Sequence, residues 1–392
     1  MKRILIDSHA GSIRTALVED GVLIDLIIDN NNCRSITGNV YLGIVKNILP
    51  NQFAFIDIGQ SRNGFLNTAN HNEKPALRAG QSILVQVRKD PSGDKGASLC
   101  RQIDLTSRLV VLVGNGRREI GVSHKIKNSD ERKRLKKLVL KHIPDGFGVI
   151  LRTGSENKSA DEVLADLNKQ VNLYKSITVK GLYRKPPSLI YQENSLFHDF
   201  VSENIDEIIV DDPLILQTVV RQAEKYLPSA RVRLHTDEAR LFNYDIERQI
   251  SRALDKKIWL SCGGFLIIEQ TEACVIIDVN TGKYTGKMSH KESILRTNLE
   301  AAAEAAAQIR LRNLSGMIII DFINMESRED KNKLFNFFSE VLDNDRIKTN
   351  IIGMTELGLM QLTRRKTRES LGSILLRKCP HCNGAGFVKI TE

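Results

Sequence analysis

Ala273-Cys274-Val275-Ile276-Ile277-Asp278-Val279-Asn280-Thr281-Gly282 and Gly316-Met317-Ile318-Ile319-Ile320-Asp321-Phe322-Ile323-Asn324 are the two stretches that decide the fold. Each is a short apolar run that ends in an aspartate. Between them, roughly Glu292 to Asn313 is rich in Ala and Leu and reads as one helix. Strand, helix and strand make a βαβ unit, whose strands run parallel through a right-handed crossover. Parallel strands end on the same edge, where open α/β sheets place their sites. Asp278 and Asp321 are therefore expected side by side at one rim. Two carboxylates there repel each other unless a proton or cation compensates. Oxygen ligands in a phosphate-handling site suit Mg²⁺, held by one or two carboxylates plus water and substrate. The competing reading makes each aspartate a cap for a helix or turn.

Outward from this unit, the composition describes a large chain of several modules. At 392 residues it exceeds one simple core, and two to four modules are expected. Lys and Arg outnumber Asp and Glu by 57 to 47, a formal charge of +10, which favours a polyanionic partner. Acidic membranes, or solubility alone, would also fit that charge. Aromatics are only 5%, so any stacking on bases rests on a few side chains. No apolar run reaches the roughly 18 residues of a membrane span. The start, Met1-Lys2-Arg3-Ile4-Leu5-Ile6-Asp7, lacks the long apolar core and cleavage site of a secretory signal, so a cytoplasmic setting is expected. Six cysteines in so long a chain do not form a disulfide scaffold. Cys33, Cys100, Cys262 and Cys274 are scattered and read as buried thiols.

Cys379 and Cys382 stand apart, in Cys379-Pro380-His381-Cys382-Asn383-Gly384-Ala385-Gly386. Pro and Gly shape a tight turn that aims two thiolates at one point. A structural zinc takes four ligands, at about 2.3 Å for sulfur. Two per chain suggest that a second chain supplies the rest. A redox pair and a plain turn are the alternatives; a redox pair normally opens a helix, and Gly384 and Gly386 argue against one.

The first hundred residues divide in two. Arg3–Asp7, Thr15–Glu19 and Val22–Asp29 read as a meander. From Gly38 a run of short strands with glycine turns follows: Asn39–Ile48, Phe53–Gly59, Arg62–Leu66 and Gln81–Val87. That is the pattern of a small β-barrel, similar to the OB-fold RNA-binding module. Phe55 and Phe65 are candidates to stack on unpaired bases, with Lys95 as a basic neighbour. Both rings could instead belong to the core. Further on, Leu109–Val113 is a strand, Ser129 is the expected N-cap of a basic helix, and Ala160–Tyr174 is an amphipathic helix. Gly148-Val149-Ile150-Leu151-Arg152-Thr153-Gly154 is a strand that ends in a guanidinium, a hydroxyl and backbone amides, a set suited to a terminal phosphate.

These stretches carry a family resemblance. Together with Gly121-Val122-Ser123, Asn243–Ile250, Gly263–Ala273, Arg310–Leu314 and the Cys379 knuckle, the chain resembles the catalytic core of the ribonuclease E/G family of endoribonucleases. The resemblance implies a multidomain α+β and α/β architecture: an RNase H-like subdomain split between 1–35 and 182–255, an inserted OB-fold barrel at 36–103, and a 5′-sensor region at 104–181. A DNase I-like subdomain at 256–376 and a zinc-link knuckle at 377–392 complete it.

It also implies roles. Asp278 and Asp321 would hold Mg²⁺, with Mn²⁺ as a substitute, and Asn280 would orient them. Arg152 and Thr153 would grip a 5′-monophosphate, with Val111 packed nearby. Ser107 stands where the family often has glycine. Phe55, Phe65 and Lys95 would contact RNA in the barrel. Cys379 and Cys382 would share Zn²⁺ across a homodimer. The implied reaction is hydrolysis of single-stranded RNA in rRNA maturation and mRNA turnover, leaving a 5′-phosphate and a 3′-hydroxyl. Arg364 and Arg365, in Arg364-Arg365-Lys366-Thr367-Arg368, are expected on a helix after the sheet, either holding the RNA backbone or merely solvated. With its last residue at Glu392, the chain resembles a minimal, ribonuclease G-like form, expected to dimerise without forming tetramers. A non-catalytic RNA-binding or ribosome-assembly protein would not need the paired aspartates. A metal-dependent DNA nuclease would be separated by competition between RNA and single-stranded DNA.

Overall fold

The computed structural model describes residues 1–9, 11–30, 35–49, 53–68, 77–91, 95–114, 116–193, 197, 200, 203–237, 239–282, 290–355, 357–382, 384 and 386. Cys33 lies outside them, as does the stretch after Gly386. The chain forms two compact units by contact. One comprises Met1–Asn31, Glu207–Asp212 and Arg233–Glu392, and the other comprises Asn32–Asp206 and Pro213–Val232.

The chain opens with the expected meander, β1 (Lys2–His9), β2 (Ser12–Glu19) and β3 (Val22–Asn30). It then forms β4 (Val40–Leu49), β5 (Phe53–Asp57), β6 (Gly64–Asn67), β7 (Ser82–Lys89) and β8 (Ser98–Cys100). Pairing runs β4-β5-β6-β8-β7, and β7 pairs again with β4, which closes a five-stranded barrel. Ala54, Ile56, Leu66, Val85 and Leu99 alternate into its core. The closing strand β8 is too short to show in the sequence.

Next come β9 (Ile103–Thr106), β10 (Val110–Gly114), β11 (Ile120–Val122), α1 (Ser129–Leu140), β12 (Gly148–Leu151) and α2 (Ala160–Tyr183). The cap of α1 is Asn128, not the expected Ser129: Asn128 Oδ1 accepts from the amides of Asp130 at 2.9 Å and Glu131 at 3.2 Å. A capping box between Ser159 and Glu162 starts α2, which runs nine residues beyond the expected Tyr174. Leu135 and Val139 from α1 and Val163, Leu167 and Val171 from α2 cover the four-stranded sheet β11-β12-β10-β9. Strand β13 (Ser188–Tyr191) pairs with β4.

The chain then forms β14 (Glu207–Val210), α3 (Pro213–Tyr226), β15 (Arg231–Leu234) and α4 (Tyr244–Arg252). Strand β14 lies parallel to β1, so a segment some 200 positions away joins the meander's sheet. Last come β16 (Lys257–Trp259), β17 (Phe265–Gln270), β18 (Val275–Asn280), α5 (His290–Leu311), β19 (Gly316–Asp321), α6 (Arg328–Asp343), β20 (Thr349–Met354), β21 (Leu359–Arg364) and α7 (Leu371–Leu375). The sheet order is β16-β17-β18-β19-β21-β20. The βαβ unit is present as read, with β18 and β19 parallel. Ala301, Ala302, Ala305 and Ile309 of α5 are fully buried beneath the sheet, beside Leu334 and Phe338 of α6. Small residues let the long helix approach the strands closely. Among the described residues no helix is long and apolar enough to cross a membrane.

Candidate active site

The register of the parallel pair sets Asp278 directly beside Asp321. Alternation along β18 sends Val275, Ile277 and Val279 into the core and Asp278 and Asn280 to the other face. Asn280 Nδ2 donates to Asp278 Oδ2 at 2.8 Å. That bond fixes one carboxylate oxygen and leaves the rest of its acceptor capacity for a ligand. On α5, the fully buried Asn298 holds the chain beyond β19: its amide donates to the Ile323 carbonyl at 2.8 Å, and its oxygen accepts from the Ile323 N–H at 3.0 Å. Asp321 thus projects from a strand end secured on both sides.

The glycines of this segment are explained by close approach. A Cβ on Gly282 would stand 2.2 Å from the Gly263 carbonyl oxygen, and one on Gly264 would stand 2.7 Å from that of Asn280. The tight 263–264 turn therefore packs on the strand end that carries the site. Glu300 of α5 accepts from the amides of Ser261 and Cys262 in the same turn.

Asp278, Asn280, Thr281, Asp321, Asn324, Lys331 and Met354 are among the residues lining a cleft of about 360 Å³. Among the described residues its charged lining is two carboxylates and one ammonium. Lys331, on α6, was not singled out in the sequence, where it sits in a mixed-charge run with no local signal. The donor set among the described residues, carboxylate and amide oxygen without thiolate or imidazole, fits a hard divalent cation.

Residues 104–367 match the Ribonuclease E/G family. The chain belongs to the ribonuclease E/G family. It is 38% identical to Ribonuclease G of Haemophilus influenzae, over 99% of this chain and 84% of that protein. It is 36% identical to Ribonuclease G of Escherichia coli K12, over 99% of this chain and 85% of that protein. Ribonuclease E of the same strain is 34% identical over all of this chain but only 39% of its own length.

The other residues that the ribonuclease E/G resemblance singled out fall in separate places. On the barrel, Phe55 and Phe65 alternate with the buried Ala54, Ile56 and Leu66, so both rings lie on the outer face and not in the core. Phe53 joins them: its ring centroid is 4.8 Å from that of Phe65, and Phe55 is 6.2 Å from Phe65 on the other side. Sequence reasoning missed Phe53, although its two-residue spacing from Phe55 places both on one face. Lys95 is exposed, two residues before Ala97, whose carbonyl accepts from the Phe65 N–H at 2.7 Å.

At the end of β12, the Arg152 guanidinium donates to the Ser107 carbonyl at 2.8 Å. Burial lowers its pKa from the usual range, against the opposing charge of Asp166. Thr153 and Ser123 hydroxyl oxygens lie 3.3 Å apart, at the ends of the parallel strands β12 and β11. The guanidinium and the hydroxyl pair thus stand at neighbouring positions of one strand end. Val111 is half-buried and faces outward beside Ile150. The Ser107 hydroxyl turns inward, 2.5 Å from Asp166 Oδ2 and 2.8 Å from the Val110 carbonyl. Serine here closes a buried turn.

Arg364 corrects the sequence reading. It is not on a helix and does not reach the surface: it ends β21, is 3% exposed, and is ion-paired with Asp345 at 2.7 Å. Residues 365–367 form no helix or strand, and Arg365 alone of the pair is exposed. In the knuckle, Cys379 is exposed and the Gly386 N–H points at Cys382 Sγ from 3.4 Å. Among the described residues no third Cys, His, Asp or Glu completes a metal-holding group with this pair.

Proposed function

We propose that this chain, an endoribonuclease by family, cleaves single-stranded RNA in a Mg²⁺-dependent reaction that leaves a 5′-phosphate and a 3′-hydroxyl. The observation that carries the reading is the register that pairs Asp278 with Asp321, with Asn280 bonded to the first. These two carboxylates would hold the ion. Bound there, Mg²⁺ supplies Lewis-acid polarisation of the phosphate and a lowered pKa for water. Asn280 keeps one Asp278 oxygen oriented, and Lys331 offers positive charge to the strand lying in the cleft. No side-chain nucleophile is required.

The remaining surfaces divide recognition. In this reading, residues 1–35 and 182–255 form the RNase H-like part, 256–376 the DNase I-like part, and 36–103 the barrel whose outer rings stack on unpaired bases. Residues 104–181 read the RNA 5′ end through Arg152 and Thr153. The setting is cytoplasmic, and the work is rRNA maturation and mRNA turnover.

A short unpaired A/U-rich RNA, with a 5′-monophosphate or a 5′-hydroxyl, tests this directly. Cleavage requires Mg²⁺ and is faster for the monophosphate. Arg152→Ala removes that preference and spares the 5′-hydroxyl substrate, because the lost contact is a charge-assisted one to phosphate. Equal loss on both substrates removes the sensor role.

Alanine at both Phe55 and Phe65 weakens RNA binding by about 1–3 kcal/mol for each base that loses its stacking partner. The melting temperature stays near that of the parent, since neither ring is in the core. A large drop in melting temperature would return both to a packing role.

Cys379 and Cys382 would supply half of a zinc site completed by a second copy of the chain, giving a two-fold homodimer with one shared metal. Serine at both positions, or chelation, converts the dimer to monomers in native mass spectrometry. One zinc per monomer, or a dimer indifferent to the double substitution, excludes the shared site.

A further inference from the structure

The face of the last sheet that carries Asp278 also carries an aromatic pair outside the site described above. Trp259 pairs in register with Phe265, and Phe265 pairs with Asn280. Alternation puts all three on the side away from the core. Side chains directly opposite on neighbouring strands lie about 4.5–5.5 Å apart at Cβ. A continuous row therefore runs from Trp259 through Phe265 to Asn280, and Asn280 is bonded to Asp278. The two rings are 5.2 Å apart at 63°, and Trp259 is 57% exposed. Burial gives no reason for an exposed indole beside such a site. Lys257 adds a charge: its ammonium sits 3.9 Å from the Trp259 ring centroid and 3.7 Å from that of Phe265. That cation–π contact holds a positive charge against the apolar faces.

We infer that Trp259 and Phe265 form a stacking platform for a base of the substrate strand next to the cleaved bond, the Lys257 ammonium leaving the ring faces for the backbone phosphate as the base stacks. The inference rests on the proposed cleavage site at Asp278 and Asp321. Two interstrand spacings, about 10 Å, separate Trp259 from the strand of Asp278. That is within reach of a neighbouring nucleotide. Aromatic faces accept any base, so the platform positions the strand without reading its sequence. Its occupant is unpaired RNA, because inside a duplex the faces of each base are covered by its stacked neighbours.

Trp259 is the only tryptophan of the chain, so its fluorescence reports on this position alone. In the Asp278→Asn protein, which keeps its RNA uncut, a short single-stranded RNA should quench that fluorescence saturably. In the otherwise native protein, Trp259→Ala should raise KM by about 5- to 150-fold with kcat little changed, and Trp259→Phe should restore most of the loss. An abasic residue at one position beside the cleaved bond should cost the parent as much as Trp259→Ala does. It should cost the Trp259→Ala protein nothing further, a result that lost folding alone cannot produce. The platform is overturned if RNA binds without changing the fluorescence, if the abasic loss adds fully to the Trp259→Ala loss, or if the fluorescence follows protein concentration instead of RNA. Failure of the parent to cleave RNA would instead overturn the cleavage site, while quenching would still report the stacked base.

Discussion

Asp278→Asn and Asp321→Asn should each reduce cleavage in the presence of Mg²⁺ by about a thousandfold or more, while RNA binding persists. A metal-held charge is worth several kcal/mol at the transition state, and each 1.36 kcal/mol is about tenfold in rate. Asparagine keeps the size of the side chain and one oxygen, but removes the negative charge that a hard cation needs. Because Asp278 and Asp321 are register partners, neither can take over the other's position. Asn280→Ala acts differently. It frees Asp278 Oδ2 from its 2.8 Å bond and should raise the Mg²⁺ concentration for half-maximal rate by about 10- to 100-fold, with activity recovered at high Mg²⁺. Single-turnover cleavage across a Mg²⁺ titration separates the two patterns. Near-parent rates in either aspartate variant at low Mg²⁺ would eliminate the metal site.

The βαβ unit and its strand-end aspartates were legible because they rest on local signals. A buried parallel strand is a continuous apolar run, and an Ala-rich stretch of this length is a helix. Their juxtaposition then follows from chain geometry alone. The barrel was legible for a similar reason, since short strands and glycine turns recur at even spacing. Most of what stayed hidden depends on partners distant in sequence; Phe53 is the exception, since its spacing from Phe55 is a local signal. Lys331 joins the cleft only once α6 has packed beside β19 and β20. Strand β8 is three residues long and closes the barrel through pairing, not through its own pattern. Trp259 reaches the row beside Asn280 only through the register of β16, β17 and β18. The cap of α1 moved by one residue because Asn128 and Ser129 are both good caps and the side-chain geometry chose the first. Arg364 was misread for another reason. The basic run Arg364–Arg368 suggested a solvated helix, but the preceding alternation of Met360 and Leu362, both buried, already placed position 364 on the inner face.

That inner position makes Arg364→Ala a stability variant, with an expected loss of about 3–5 kcal/mol, the cost of stranding one partner of a buried ion pair. Arg364 and Asp345 are almost fully buried, with Nε donating to Asp345 Oδ2 at 2.7 Å. The same guanidinium donates to Asn313 Oδ1 at 3.0 Å and to the Leu314 carbonyl at 2.8 Å. Asn313 in turn donates to the carbonyls of Arg368 and Glu369 at 3.1 and 3.0 Å. One side chain thus ties the end of β21 to the turns that follow α5 and α6. Alanine leaves the Asp345 carboxylate buried without its charge partner and opens the turn after α5, whose helix carries Asn298 and supports the Asp321 strand end. The urea midpoint of Arg364→Ala should fall sharply. Asp345→Ala should fall comparably, and the double variant should lose much less than the sum, because the second substitution removes the stranded charge. Arg365→Ala, on the exposed neighbour, should leave the midpoint where it was and weaken RNA binding, more so at low salt. An unchanged midpoint in Arg364→Ala, together with lost RNA affinity, would put Arg364 back on the RNA surface and break the argument from burial.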